Sequence, residues 1–176
     1  LMCMIGAKKT SGLTIDDVNP GNGCGKMMAA IENSKVHSGN RSGWLLDKLR
    51  EGGPEYLDAI ITNEAEVIAF NRDHGLRLRE PLVAVYPQDG TLLFNQPYAI
   101  LDGAPWVTAE QVEAAKIFRK FLLSAPLQDA VLNLGLRPAD LATKLRAPFG
   151  QANGVNPAAS LTAVQLPDSL AIDRVI

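Results

Sequence analysis

The segment NPGNGCGKMM, from Asn19 to Met28, carries the residue types of a phosphate-binding loop, because three glycines and a lysine precede an apolar stretch. A P-loop needs a glycine six positions ahead of its lysine and a serine or threonine directly after it. Those positions are held here by Pro20 and Met27. A dinucleotide fingerprint fails as well, since its third glycine would fall on Lys26. The turn chemistry of asparagine, glycine and proline instead predicts a flexible connection into a helix over residues 26–33.

A second group of polar residues stands at the predicted start of a helix and comprises Asn40, Arg41, Ser42 and Gly43. The first backbone N–H groups of a helix are unpaired and its dipole is positive at that end, so this position favours an anion. The guanidinium of Arg41 would add a charge-assisted hydrogen bond. A structural role fits equally, with Asn40 or Ser42 as the N-cap and Arg41 in solvent.

Thr62, Asn63 and Glu64 form a third group, at the junction between a predicted buried strand and the helix that follows it. Ligands of open α/β sheets gather at the carboxyl ends of strands, so these side chains stand where a cleft residue is expected. The alternative for Glu64 is that its charge only stabilises the N-terminus of its own helix. We predict ligand binding by the second and third groups, with a small polar molecule or an oxyanion as the ligand.

The cysteines and histidines do not indicate a metal centre. Cys3 and Cys24 are too far apart for a CxxC pair, and His37 and His74 have no ligand-like spacing. We therefore predict neither a metal nor a cofactor. The cysteines are compatible with one disulfide in an exported protein or with two free buried thiols. Because no GxSxG or HExxH motif is present either, the predicted function is non-enzymatic.

The composition is that of an ordinary globular chain. Its 176 residues are 47% hydrophobic and 20% charged, which is enough apolar material for one core or two small ones. Seventeen basic residues against nineteen acidic ones give a net charge of -2, and no basic block stands out that would neutralise a phosphate backbone. We expect no nucleic-acid partner. The longest apolar runs are far shorter than the roughly 20 residues of a bilayer-spanning helix.

The hydrophobic periodicity predicts helices that alternate with strands, which is typical of α/β folds. Capping-box spacings at Thr14 and Asp17 and at Thr108 and Gln111 mark two helix starts. Asn71 is interpreted as structural. The predicted helices cover a turn at 14–18 and the ranges 26–33, about 42–52, 64–74, 108–124, 126–134 and the C-terminal 166–176. The predicted strands cover 34–39, 59–62 and 82–86, with two further extended pieces before residue 102.

Several phrases occur in a fixed order along the chain. They are KTSGLTIDDV, VHSGNRSGWLLDKLREGGPEYLDAIITNEAEVIAFN, PLVAVYPQDGTLLFNQPYAIL, WVTAEQVEAAKIFRKFLLS, LGLRPAD, ANGVNP and LPDSLAIDRVI. Together they resemble the later part of bacterial extracellular solute-binding proteins of the type II periplasmic-binding class. In particular, they resemble the binding-protein-like domain that often precedes a von Willebrand A domain. The resemblance covers about Lys9 to Ile176.

The resemblance implies one α/β domain, a two-lobed three-layer sandwich with a ligand cleft and an incomplete first lobe. Residues 10–81 would belong mainly to the second lobe, 82–105 would form crossover strands, and 106–176 would pack back on the first lobe. It also implies a periplasmic or cell-surface location, association with an ABC-transporter permease or an attached domain, and binding of a small polar solute. In this family the position before Glu64 carries an aromatic residue, whereas this chain has Asn63.

A second interpretation keeps the fold without the ligand. The chain would then be an interaction or sensory domain that acts through an attached domain or a partner chain. Because the first-lobe strands that such proteins carry are missing from this segment, an unpaired sheet edge and apolar surface would remain. We therefore also expect a homo-oligomer.

Overall fold

The structure, a computed structural model, describes residues 2–74, 78, 80–165, 167 and 171, and for Ser42 and His74 it describes the backbone alone. This part of the chain contains six α-helices and three single turns of 3₁₀ helix. The helices are α1 (Met2–Ala7), α2 (Gly23–Ser34), α3 (Ser42–Gly52), α4 (Glu64–His74), α5 (Ala109–Leu122) and α6 (Ala125–Asn133), and the 3₁₀ turns are Ile15–Asp17, Gly53–Glu55 and Gln151–Asn153.

The chain divides into two compact units. The first unit comprises Leu1–Leu45, Val85–Phe94 and Ala158–Ile176, and the second comprises Leu46–Ala84 and Asn95–Pro157. None of the helices in the described ranges combines the length and the apolar character that a bilayer crossing requires.

The predicted α/β sandwich is wrong, because the described residues form helices and no sheet. Their only β-type pairing is an isolated parallel bridge between Thr91 and Ala163. In it the N–H of Thr91 donates to the carbonyl of Thr162 at 2.9 Å, and the N–H of Val164 donates to the carbonyl of Thr91 at 2.9 Å. The stretches 34–39, 59–62 and 82–86 are not strands. Ile61, predicted in a buried strand, is 82% exposed.

The stretch 82–86 shows what replaces a sheet. The N–H of Leu82 donates to Oδ1 of Asn71 at 2.9 Å, and Nδ2 of Asn71 donates to the carbonyl of Leu82 at 2.8 Å. The N–H of Ala84 donates to the carbonyl of Gly154 at 2.8 Å. A buried asparagine and a loop thus satisfy backbone groups that a neighbouring strand would otherwise bind. The structural role predicted for Asn71 is confirmed.

The helices of the second unit were predicted well, because their signals are local. Helix α4 has the predicted bounds, and α5 starts after a capping box in which Thr108 and Gln111 bond each other's backbone N–H groups. Helix α6 ends before Gly135, whose φ of +81° suits a residue without a Cβ. The predicted stop at Gly75 and nearly all of the predicted C-terminal helix lie outside the described residues.

The first unit is built on the crossing of α1 and α2. Its buried core consists of Cys3, Met4, Leu13, Val18, Cys24 and Ala171. A disulfide joins Cys3 to Cys24, 21 residues apart, with their Cα atoms at 4.1 Å. Closing a loop of that length stabilises a fold by about 3 kcal/mol in the chain-entropy model. Of the two alternatives for the cysteines, the structure has the disulfide.

The second unit has two apolar clusters. One contains Val67, Ile68, Leu132, Phe149 and Val155, and the other contains Leu46, Leu49 and Phe70. Helix α4 contributes to both clusters, since Ile68 and Phe70 point to different sides of it. It is therefore the central element of this unit, and the residues at its start are held by its packing.

Acid should weaken the turn at the start of the first unit. Oδ2 of Asp17 accepts hydrogen bonds from Nζ of Lys9 at 2.6 Å, and from the N–H and the hydroxyl of Thr14 at 2.8 and 3.0 Å. The bond from Lys9 is the main reason that the pKa of Asp17 falls from 3.8 to about 2. A depressed folded-state pKa stabilises the fold above pH 3.8, and this contribution is lost as the pH falls from 3.8 toward 2.

A titration of the Asp17 carboxyl carbon by NMR tests this. We expect a midpoint near 2 in the natural chain and a clear rise toward 3.8 in Lys9→Met. Lys8→Met is the matched control, since it removes a neighbouring charge but leaves the hydrogen bond in place. An equal midpoint in Lys9→Met and the natural chain would contradict the assigned cause.

Candidate functional site

The glycine-rich segment 19–28 is used for helix packing. Asn22 is the N-cap of α2, and its Oδ1 accepts from the N–H of Gly25 at 3.2 Å. A Cβ on Gly23 would overlap the backbone of Gly6, and a Cβ on Gly25 would overlap the backbone of Pro20. The helix therefore begins three residues before the predicted start, and two of the glycines belong to it. The absent side chain of Gly23 allows α1 and α2 to approach closely, and that of Gly25 allows the preceding loop at Pro20 to lie against α2.

The group Asn40, Arg41, Ser42 and Gly43 lies at the first turn of α3, where the sequence placed it. The N–H of Trp44 donates to the carbonyl of Arg41 at 3.2 Å. A Cβ on Gly43 would come within 2.6 Å of Nη1 of Arg41, so the guanidinium lies against the backbone of this first turn. The described atoms of this group thus form a helix start. No second feature there indicates a ligand.

The group Thr62, Asn63 and Glu64 lies at the start of α4, as the sequence predicted, but no strand leads into it. Asn63 acts as a capping residue, since its Oδ1 accepts from the N–H of Glu66 at 3.0 Å. The hydroxyl of Thr62 donates to the carboxylate of Glu66. Both side chains are thereby engaged in holding the first turn of the helix.

Glu64 is held by a residue from far along the chain. Nε and Nη2 of Arg137 donate to its two carboxylate oxygens at 2.7 and 3.0 Å, in the bidentate geometry that is the strongest for this pair. The guanidinium also lies 5.9 Å from the ring centroid of Phe149, a buried core residue. Glu64 thus ties the start of α4 to the segment after α6. The prediction that it contacts a ligand has no support from this arrangement.

Sequence reasoning missed Arg137. Its partner is 73 residues away, and nothing in the spacing around LGLRPAD indicates an ion pair. The two predicted ligand groups also fall in different units, with Asn40–Gly43 in the first and Thr62–Glu64 in the second.

The structure adds little to a catalytic interpretation. Within the described ranges, no three residues of the types His, Cys, Asp and Glu come together as a metal site. Glu64 pairs with Arg137, and Thr62 pairs with Glu66, and helix capping or core packing explains each of these two pairs.

No protein-family model, no curated protein and no solved structure matches this chain. The resemblance to solute-binding proteins, with the transporter-associated partners that it implies, stays a prediction from the sequence. The function is therefore argued from the surfaces and contacts of the chain itself.

Proposed function

We propose that this chain is a non-enzymatic interaction domain that acts outside the cytoplasm and pairs with a second copy of itself through α5. The observation that carries the proposal is an apolar stripe on α5, formed by Ala114, Ile117, Phe118 and Phe121. All four side chains are exposed, with Ile117 and Phe121 at 67% and 57%. Apolar residues at such spacing form one face of a helix, and an exposed face of this kind is typical of a partner surface.

The stripe lies beside the half-buried side of α5, since Phe118 is three residues from Ala115 and four from Leu122 on the helix. Val112, Ala115 and Leu122 are half-buried. Phe118 stacks on Phe121 with ring centroids 6.1 Å apart and meets the edge of Tyr98 at 5.7 Å. These ring contacts fix the aromatic side chains in place, so the surface is ordered before any partner binds.

The stripe is complementary to itself. A two-fold axis perpendicular to α5, between Ile117 and Phe118, sets two copies antiparallel and places Ala114 of one copy opposite Phe121 of the other. A small residue opposite a large one is the arrangement that fills a helix interface.

Charge supports the same pairing. Glu113 and Lys120 lie seven residues apart on one flank of the stripe. In the antiparallel pair, Glu113 of each copy therefore approaches Lys120 of the other copy. A hydrogen bond from Lys116 lowers the pKa of Glu113, and this carboxyl is charged at neutral pH with or without that bond. Opposite charges on the flank favour the antiparallel orientation over the parallel one.

The proposal selects between the two functions expected from the sequence. Solute binding needs a cleft between two α/β lobes, whereas the described residues contain no sheet and their predicted ligand groups serve as helix starts. The interaction function needs only a partner surface. The disulfide between Cys3 and Cys24 supports a location outside the cytoplasm, since such bonds persist in oxidising compartments.

Sedimentation velocity over a concentration series tests the proposal. We expect a monomer–dimer equilibrium for the natural chain and a monomer for Phe121→Glu, because a charge in the stripe would be buried without a partner. Leu141→Glu is the control, since Leu141 is also an exposed apolar residue, at 72% against 57% for Phe121, and lies in the same unit outside α5. Equal association of both variants would exclude the stripe as the interface.

A charge exchange tests the orientation. Glu113→Lys or Lys120→Glu alone should weaken the dimer, and the double variant should restore it because the flanking charges become complementary again. A natural chain that sediments as a monomer at the highest attainable concentration would refute self-association.

A further inference from the structure

All sulfur atoms of this chain lie on two helices. Its two cysteines and four methionines are Met2, Cys3 and Met4 on α1, and Cys24, Met27 and Met28 on α2. Residues 35–176, which follow α2, contain no sulfur. Methionine packs well in any irregular core, but both apolar clusters of the second unit are built without it. The concentration of sulfur at one helix crossing is therefore specific to that site.

Three of these sulfur atoms converge. Cys24 and Met28 are one helical turn apart on the same face of α2, and Cys3 lies across from them on α1. Sδ of Met28 is 3.4 Å from Sγ of Cys3, which is itself bonded to Sγ of Cys24. The two cysteines are 7% and 0% exposed, while Met28 is half-buried.

We propose that, when the disulfide is reduced, Cys3, Cys24 and Met28 bind one Cu(I) ion in a three-sulfur site. The reduction is a thiol–disulfide exchange with a dithiol: the S–S bond between Cys3 and Cys24 breaks, each Sγ gains one electron and one proton, and the dithiol becomes a disulfide. Cu(I) then binds two thiolates and one thioether, and the two thiol protons are released to solvent. The copper ion keeps its oxidation state throughout.

The donor set selects Cu(I) over zinc. Thiolate and thioether sulfurs are soft ligands that suit Cu(I), whereas structural zinc takes four ligands from cysteine, histidine and carboxylate. In the part of the chain that the structure describes, no third residue of those types joins the two cysteines. Burial of the cysteines also keeps water away from the ion, which protects the monovalent state.

The site goes beyond the proposed self-association and is independent of it, because the sulfur atoms lie in the first unit and the stripe of α5 lies in the second. It also gives the two cysteines two alternative states, crosslinked or metal-bound, at the same helix crossing.

The test is a competition titration of the full chain with Cu(I) under anaerobic conditions, after reduction with dithiothreitol and its removal, with bicinchoninate as the competing chelator. We expect one Cu(I) per chain and an X-ray absorption spectrum with three sulfur neighbours. Met28→Leu keeps the volume of the side chain and should weaken binding by about tenfold or more, since even the loss of an outer-shell partner has such an effect. Its spectrum should show two sulfur neighbours.

Met27→Leu is the matched control and should bind as the natural chain does, because Met27 is the adjacent methionine outside the converging set. Cys24→Ser should not compete with the chelator. The proposal is overturned if Met28→Leu keeps the affinity and the three sulfur neighbours, or if the reduced natural chain binds no Cu(I). Circular dichroism shows whether the chain loses helix when the disulfide is reduced. If it does, the proposal requires that Cu(I) restores the lost helical signal, and a failure to restore it also overturns the proposal.

Discussion

Gly23→Ala should destabilise the first unit by about 3 kcal/mol, the upper end of the usual cost of overpacking. The added Cβ would overlap the carbonyl of Gly6, where α1 and α2 touch through their backbones. The disulfide between Cys3 and Cys24 prevents the helices from separating to relieve the clash, since Cys24 is the next residue. Urea denaturation followed by circular dichroism measures the change in the free energy of unfolding.

The sign of this effect is diagnostic. Alanine favours a helix more than glycine by up to about 1 kcal/mol, so without the close crossing Gly23→Ala would stabilise the chain. Gly21→Ala is the matched control from the same segment, because its Cβ would meet only Oδ1 of Asn19, at an ordinary contact distance of 3.7 Å. It should be close to neutral. If Gly23→Ala were as stable as this control, α1 and α2 would not cross as described.

How far the sequence predicts this fold depends on how local each signal is. Helix α5 was predicted from Thr108 and Gln111, which are three residues apart and cap the same turn. Helix α4 was predicted with its bounds for the same reason. A helix satisfies its own backbone hydrogen bonds, so its sequence contains most of the information that specifies it.

Strand predictions failed because a strand needs a partner that the local pattern does not contain. The run from Leu82 to Tyr86 has the apolar, β-branched composition of a buried strand, and a short run of this kind does not reveal what pairs with it. Its partners are the side chain of Asn71 and the carbonyl of Gly154. Sheet formation was inferred from composition alone, and the distant contacts decided otherwise.

In the candidate site, too, the local features could be predicted from the sequence and the distant contacts could not. Both predicted ligand groups do lie at helix starts, which their sequences indicate locally. The arginine that pairs with Glu64 lies 73 residues away, and the glycine and cysteine contacts between α1 and α2 also join distant segments. Because of these contacts, Glu64 and the glycine-rich segment 19–28 serve packing, whereas the sequence predicted a ligand site and a loop there. No pattern within one segment could have revealed them.

Asn71→Leu should cost about 2–5 kcal/mol, because it leaves both the N–H and the carbonyl of Leu82 without a partner in a partly buried place. Leucine has the same number and branching of side-chain heavy atoms as asparagine, so the change removes hydrogen bonds without creating a cavity. The loss should appear in urea denaturation of the whole second unit, since α4 contributes to both of its apolar clusters.

Asn71→Asp tests the contribution of the Nδ2 donor alone, because aspartate has the shape of asparagine but lacks this donor. One carboxylate oxygen still accepts from the N–H of Leu82, while the other is pushed against the carbonyl that Nδ2 of Asn71 now bonds at 2.8 Å. Repulsion between two acceptors raises the folded-state pKa of the new carboxyl above its unfolded value near 3.9. The variant should therefore be strongly destabilised at neutral pH and recover, relative to the natural chain, as acid protonates the carboxyl and restores a donor. Asn71→Leu carries no titrating group and should show no such recovery. If Asn71→Asp were as stable as the natural chain at pH 7, Asn71 would not be the residue that holds Leu82 in place.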